Sequence, residues 1–397
     1  MPDRDKFSKF RPHTRAVRAG LQRTPFQETS EALFLNSGYV YDSAQQAADA
    51  FAGEHEHFIY SRYGNPTLRM LEDRLASLEG AEACRVCATG MSAMFSSMAC
   101  QLKAGDRVVA GRALFGACFA ILDRILPSWG IETVLIDGRD IHAWEEALKI
   151  PTKLVFLESP SNPVLEIIDI KAVSHLAHKA GALVIVDNVF ATPLYQSPLA
   201  LGADIVTYST TKHIDGQGRM LGGAVLGSRT FIEEVFLPFY RQTGAAMSPF
   251  NAWVMLKSLE TLPVRVQAQT DNAQYIADSL AQDSRVKSLI YPGHPSHPDY
   301  QIAQKQMSGA SSLIAFELEG GREKAFAFLD ALQLIDISNN LGDSKTLACH
   351  PASTTHANLT AQQRDMLQIK EGIIRLSVGL EDRRDLLDDI QQALQAI

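Results

Sequence analysis

What the 397-residue sequence lacks narrows it first. No run of 18 or more apolar residues occurs, so no segment is long enough to cross a bilayer as a helix. Surplus positive charge is missing too. The 45 acidic and 37 basic residues leave a formal net charge of −8, which gives no electrostatic reason to expect nucleic acid or an anionic membrane as a partner. Cysteine is scarce. Cys84, Cys87, Cys100, Cys118 and Cys349 form an odd, thinly spread set that reads as the reduced thiols of a cytoplasmic protein. Cys84 and Cys87 do make a C-x-x-C, but inside EACRVCATG, which reads as a buried strand, where small apolar side chains outweigh a redox pair. Neither His55 and His57 nor His175 and His178 fall in a zinc-protease or finger spacing, so no metal is expected. The opening MPDRDKFSKFRPHTRAVRAG has no apolar stretch of a secretory signal. Its basic residues suggest a transit peptide, against which Asp3 and Asp5 argue.

What is present is ordinary for a globular chain: 46% hydrophobic and 21% charged residues. The length exceeds what one hydrophobic core usually serves. An N-terminal arm over 1–62 has no sustained period beyond a short helix near Ser43–Gly53. Asn65 and Pro66 then suit the cap and first turn of a helix striped by Leu68, Leu71, Leu75 and Leu78 and stopped at Gly80. Short apolar strands follow at 107–111, 133–136, 153–158, 182–187 and 204–209, with helical stretches such as Ile170–Ala180 between most of them. Continuous apolar strands alternating with helices predict an α/β domain over 63–262, built on a mainly parallel sheet covered on both faces. From 263 to 397 the pattern changes to a long helix (Val264–Gln282), strands near Leu313–Glu319 and Ile373–Val378, and a last helix (Arg384–Ala396), a smaller α+β domain.

In such a sheet, ligands sit outside the carboxyl ends of the strands. Three strand ends carry suggestive residues. Asp187 closes an apolar strand, where a carboxylate needs a partner. A pyridinium nitrogen would be one, and capping of the next turn is the plainer alternative. YSTTKHIDGQGRMLGG (208–223) sets the hydroxyls of Ser209 and Thr211 beside Lys212, an arrangement that suits a phosphate ester whose aldehyde is tied to the lysine. The order of residues is wrong for a P-loop, and a surface lysine is the alternative. In CATGMSAMFSSM (87–98), Gly90 between a strand and a helix reads as phosphate capture by the backbone N–H groups of Gly90 and Met91, a weak signal by itself. Together the three supply phosphate donors, a Schiff-base lysine and a ring-nitrogen partner, a combination far more specific than its parts.

The landmarks YSRYGNPT (60–67), ATGMSA (88–93), ESPSNP (158–163), VDNVFATP (186–193), STTKHIDGQG (209–218), HPASTTH (350–356) and RLSVGLE (375–381) run through nearly the whole chain. In this order they resemble the Cys/Met-metabolism enzymes that depend on pyridoxal 5'-phosphate. The resemblance implies the PLP-dependent transferase fold, the fold type I of the aspartate aminotransferase superfamily. It implies that Lys212 forms the Schiff base and shuttles protons, and that Asp187 pairs with the pyridine nitrogen. Gly90, Met91, Ser209 and Thr211 would hold the phosphate. Asn162 would approach the ring hydroxyl and the substrate, and Arg375 would clamp the substrate α-carboxylate. Tyr60 and Arg62 would reach the cofactor phosphate of a neighbouring subunit, Tyr60 its substrate as well, in a homodimer or homotetramer with shared sites.

The sequence also departs from its relatives. Most have a Tyr stacked on the cofactor ring, where Phe115 stands here and offers a face without a hydroxyl. The methionine γ-lyases have a Cys where this chain has Ala117, and the Ser-Leu-Gly-Gly run of many members is replaced by NNLGDSKTL (339–347). These features are most similar to the branch that exchanges the acyl group of O-succinyl-L-homoserine for sulfide, giving L-homocysteine and succinate in methionine biosynthesis. The alternatives are cysteine as acceptor, as in cystathionine γ-synthase; an O-acetyl ester, as in O-acetylhomoserine sulfhydrylase; elimination from cystathionine or methionine; and a cofactor-binding regulator without catalysis, which would not need Arg375. A succinyl ester brings a second carboxylate. Arg112, Lys345 and Arg219 are the candidate cations for it, and the sequence does not choose among them.

Overall fold

The computed structural model describes Phe7 and residues 9–397. Met1–Lys6 and Ser8 lie outside the described residues, and Asp3 and Asp5 with them. Two sheets organise the rest. The first holds β1 (Ala83–Cys87), β2 (Arg107–Gly111), β3 (Glu132–Ile136), β4 (Leu154–Glu158), β5 (Leu183–Asp187), β6 (Ile205–Tyr208) and β7 (Gly223–Gly227). Its order is β1-β7-β6-β5-β4-β2-β3. Only β7 runs antiparallel to its neighbours, β1 and β6; the other pairings are parallel.

Alternation along each strand splits its side chains between two cores. Leu154 and Phe156 of β4 join Met94, Val108 and Ile185 on one face, while Val155 and Leu157 join Trp144, Val184 and Val186 on the other. Burial on both faces explains the continuous apolar runs. Helix Pro66–Glu79 begins as expected: Asn65 accepts from Thr67 N at 2.9 Å and Gly80 closes it at φ 80°. The arm corrects the sequence reading in one place. Besides Ala44–Ala52 it holds a second helix, Pro12–Arg18, whose single buried residue, Ala16, packs into the core with Leu71 and Leu75.

The second sheet holds β8 (Val286–Ile290), β9 (Leu313–Leu318), β10 (Asp336–Ile337), β11 (Leu347–Cys349) and β12 (Ile373–Ser377), in the order β10-β11-β12-β9-β8. Helices Leu262–Leu280 and Arg383–Gln395 cover it, burying Ile276, Leu280, Ile390 and Leu394 against Ile314, Phe316 and Leu376. A further apolar cluster joins the two sheets, with Ala113, Val164 and Phe190 of the first unit meeting Leu313, Leu341 and Ile373 of the second. The carboxyl ends of β4, β5 and β6 face this junction.

Candidate active site

A cavity of about 460 Å³ opens at those strand ends, within the usual size of small-molecule sites. Each sector of its wall comes from a different element. Helix Gly90–Ala99 starts at the wall. Thr89 caps it by accepting from Ser92 N, and the N–H groups of Gly90 and Met91 remain in the first turn, the partly positive end of the helix. A Cβ on Gly90 would stand 2.5 Å from that of Ser209, and one on Gly223 would stand 2.3 Å from the Thr89 carbonyl oxygen. Only glycine lets the helix start, Ser209 and β7 meet so closely. Thr211 Oγ1 accepts from Gly222 N at 3.0 Å, which fixes its hydroxyl in the same sector.

Lys212 lies just past β6 and is half-buried. Its Nζ donates to Asn340 Oδ1 at 2.7 Å, across the junction of the two units. Burial and the charge of Arg375 pull the amine down to about 8. Asp187 is buried at the end of β5, where one oxygen accepts from Val189 N at 3.1 Å. Burial pushes this carboxyl up from the usual carboxylate range. On the neighbouring strand Glu158 stands in register with Asp187. Its two oxygens accept from Phe115 N (2.8 Å) and Asn162 N (2.7 Å). Burial first, then the charge of Asp187, pushes the Glu158 carboxyl far up.

Arg375 lies one bond behind the wall. It is 1% exposed and donates from Nη1 to Asn162 Oδ1 (2.9 Å) and from Nη2 to the carbonyls of Asn339 (2.9 Å) and Asn340 (3.2 Å). Its Nε is buried without a partner.

The structure therefore brings Gly90, Met91, Phe115, Asn162, Asp187, Ser209, Thr211 and Lys212 to one cavity, with Arg375 behind it. Tyr60 and Arg62 are not on this wall. Arg62 donates to the Arg241 carbonyl and lies 5.5 Å from the Tyr60 ring and 4.8 Å from that of Tyr63. Of the three candidate cations for a distal carboxylate, Arg112 is paired with Asp137 and Lys345 with Asp343, both off the wall. Arg219 alone of the three lines the cavity, although its guanidinium donates to Asp215 and Ser258. Sequence reasoning missed Glu158 and Asn340. Both sat inside quoted motifs, ESPSNP and NNLGDSKTL, but only the fold shows what their side chains bind.

A profile described as Cys/Met metabolism PLP-dependent enzyme matches residues 13–395. The chain belongs to that family. It is 52% identical over 385 residues to the O-succinylhomoserine sulfhydrylase of Mycobacterium tuberculosis, covering 96% of this chain and 95% of the relative. It is 41% identical over 386 residues to the L-methionine gamma-lyase of Porphyromonas gingivalis, covering 97% of both. Among solved structures it is similar to a putative O-acetylhomoserine (thiol)-lyase from Campylobacter jejuni carrying a pyridoxyl-lysine monophosphate, with a TM-score of 0.93 at 31% identity, covering 97% of this chain and 100% of that one. The fold is accordingly that of the PLP-dependent transferases, and the cofactor of the family is pyridoxal 5'-phosphate.

The residues of this enzyme fit that cofactor. Asp187 is a buried carboxylate whose only backbone donor among the described residues is Val189 N, so a protonated ring nitrogen suits its other oxygen. The glycine-permitted gap between the helix start and Ser209 is a cradle that any Cβ at position 90 would fill. The half-buried Lys212 amine shares the cavity with both.

Proposed function

We propose that this enzyme performs γ-replacement on O-succinyl-L-homoserine with sulfide, releasing succinate and forming L-homocysteine, a step of methionine biosynthesis in the cytoplasm. The observation that carries this reading is the shared cavity of Lys212, Asp187 and Asn162, with Arg375 bonded to Asn162 behind it. Those groups bind an amino acid at its α-carboxylate and leave a base at its α-carbon. The M. tuberculosis relative supports the choice of ester and acceptor.

When bound, pyridoxal 5'-phosphate supplies a protonated ring that draws electrons from the carbons of the substrate. The chain supplies the rest. The Gly90 and Met91 N–H groups with the Ser209 and Thr211 hydroxyls would hold the phosphate, Asp187 would face the ring nitrogen, Phe115 would cover the ring, and Lys212 would hold the aldehyde end until the amine of the substrate takes its place. Arg375 takes the substrate α-carboxylate through two parallel N–H bonds, with Asn162 beside it. The Lys212 amine, freed once the substrate amine has displaced it, then removes the proton at Cα and serves again at Cβ. An amine near pH 8 is both a sufficient base and a sufficient acid for these transfers. The Cγ–O bond breaks and succinate leaves with the bonding pair. Hydrosulfide forms the Cγ–S bond, and protons return to Cβ and Cα. No oxidant or reductant is consumed.

We place Tyr60 and Arg62 at the cofactor phosphate of a second subunit, Tyr60 also at its substrate, in a homodimer or a tetramer of two dimers. Uncovered apolar side chains on the arm, Phe26 (92% exposed), Leu35 (67%) and Val40 (91%), support such an assembly. Phe115 favours sulfide over cysteine: with no hydroxyl at position 115, the charged amine and carboxylate of cysteine lose a partner on entry. The test offers O-succinyl- and O-acetyl-L-homoserine, each with sulfide or cysteine, at matched concentrations. Homocysteine from the succinyl ester is the expected product, with kcat/KM for sulfide roughly tenfold or more above that for cysteine, about 1.4 kcal/mol of discrimination. Dominant cystathionine would make the enzyme a cystathionine γ-synthase, and 2-oxobutyrate without an acceptor would make it a γ-lyase.

A further inference from the structure

Glu158 has no place in the mechanism above, yet it is buried in the wall of the cavity, 4% exposed. It ends β4, as Asp187 ends β5, and the two are paired in register. In-register residues of adjacent strands point to the same face, so the two carboxyl groups face the same side of the sheet. A second acid beside Asp187 carries an electrostatic cost, because like charges in a poorly hydrated site repel. Such a cost is tolerated where the group does something a neutral apolar side chain would not.

Its bonds show what that is. Glu158 Oε2 accepts from the backbone N–H of Phe115, the residue just before helix Gly116–Ala120. Glu158 Oε1 accepts from the backbone N–H of Asn162. Asn162 Oδ1 in turn accepts from Arg375 Nη1. One side chain thus spans the aromatic wall and the loop that orients the α-carboxylate clamp, while its own strand fixes it beside Asp187. The loop between Glu158 and Asn162 is short, and its other backbone ties run elsewhere: Ser159 N donates to the Asp187 carbonyl at 3.4 Å, the Ser159 carbonyl accepts from Gln196 Nε2, Ser161 N donates to the Glu166 carbonyl and Leu165 N to the Ser161 carbonyl. None of those bonds joins Asn162 to Phe115.

We propose that Glu158 is a positioning residue: its two oxygens, one on Phe115 N and one on Asn162 N, set the spacing between the wall that covers the cofactor ring and the Asn162–Arg375 pair that receives the substrate carboxylate. The proposal rests on the assignment of those residues to cofactor and substrate, but not on which ester or acceptor the enzyme uses. Glu158 touches neither reacting atoms nor cofactor in this role. Its effect passes through the backbone of the residues that do.

The span makes two substitutions informative. Glu158→Gln keeps the size and one acceptor oxygen, but its amide NH₂ cannot accept from the second backbone N–H. Glu158→Asp keeps the acid but is one methylene too short to bridge both. In the loaded enzyme, both variants are expected to retain cofactor, since Lys212 and the phosphate cradle are untouched. Both should show a changed visible circular-dichroism band of the cofactor, which reports how the ring is seated. Both should also lose roughly tenfold to a hundredfold in kcat/KM, the size expected for a misplacement of about 1 Å, with a rise in KM as the clamp shifts. The assay uses whichever ester and acceptor turn over best in the wild type, so an error in the substrate assignment leaves this readout intact. An unchanged cofactor band together with kcat/KM within twofold of wild type in Glu158→Gln would overturn the proposal. So would full activity in Glu158→Asp, because charge and not span would then be what matters. Should the Asp variant fold poorly, the Gln variant, which preserves volume, decides alone.

Discussion

At the scale of single residues, the proposed chemistry requires Lys212 to have a neutral amine at physiological pH. An isolated lysine, with a pKa of about 10.4, would offer roughly one neutral amine in a thousand at pH 7.4. Burial, with help from the charge of Arg375, brings this one to about 8, and Asn340 holds it by a single bond from which it can swing free. The amine must be neutral to attack an aldehyde: below the pKa it is protonated and inert, above it is free. The rate at which cofactor-free enzyme takes up pyridoxal 5'-phosphate should therefore rise with pH to a midpoint near 8, followed by absorbance of the lysine-bound cofactor. A midpoint near 10 would mean that the site does not depress this amine. Lys212→Ala should take up no borohydride-reducible cofactor, and any such adduct would move the Schiff base elsewhere. Phe115 is the second residue whose identity has a kinetic consequence. Phe115→Tyr restores a hydroxyl at the wall and should narrow the preference for sulfide over cysteine several-fold, read as the ratio of the two kcat/KM values; a wider gap would show that the hydroxyl does not serve the acceptor.

At the scale of elements, the parallel strands and most of the cavity were legible in the sequence because one physical cause wrote both. A strand buried on two faces must be apolar throughout, so a charged or hydroxylated residue at its carboxyl end is conspicuous. Asp187 and Lys212 were found that way. Strand β7 was hidden, since Gly222 and Gly223 read as loop, whereas Gly223 is required where β7 passes the Thr89 carbonyl. Helix Pro12–Arg18 was hidden because it buries only Ala16 and so shows no stripe. Asn340 could not be read at all: its partner Lys212 is 128 residues away, and only packing of the second sheet on the first unites them. The arm, which shows no sustained period in the sequence, is pinned by buried charge. Glu31 accepts from Arg74 Nη2 and from Lys257 Nζ (2.9 Å), and the side chains of Arg74 and Glu31 are 0% and 2% exposed. Burial alone would raise the Glu31 carboxyl, but the bonds from Lys257 and Arg74 outweigh it and hold the group below its usual range. A depressed carboxyl stabilises the fold above its unfolded pKa, about 4.3, and that contribution disappears as pH falls through the lower folded value. Glu31→Gln leaves the buried guanidinium uncompensated and should cost about 3 kcal/mol at pH 7, in line with broken buried pairs. Measured by urea unfolding, the deficit should shrink steadily below pH 4. An equal deficit at pH 3 and pH 7 would show that ionic pairing is not what Glu31 contributes.

At the scale of the whole molecule, the cavity of one chain contains nearly all the expected groups but neither Tyr60 nor Arg62. These two stand on the arm side, where Arg62 lies against the Tyr63 ring and Arg241 stacks on the same ring at 5.0 Å. A cation so placed, with no carboxylate partner of its own in its chain among the described residues, suits an anion brought from outside. The phosphate held by a second copy of the enzyme would be such an anion. If each site takes Lys212 from one chain and Arg62 from the other, two defective chains can make one good site. Lys212→Ala chains lack the lysine but offer Arg62, and Arg62→Ala chains do the reverse. A pair of unlike chains then has one site missing both groups and one missing neither. Random exchange of equal amounts makes half the pairs mixed, each with one working site of two, so recovery should approach about a quarter of wild-type activity in a closed two-fold dimer. The parent variants should each show almost none. Exchange verified by mass-tagged chains, with no recovery above the parents, would place Arg62 and Lys212 in the service of the same chain's site and end the shared-site reading.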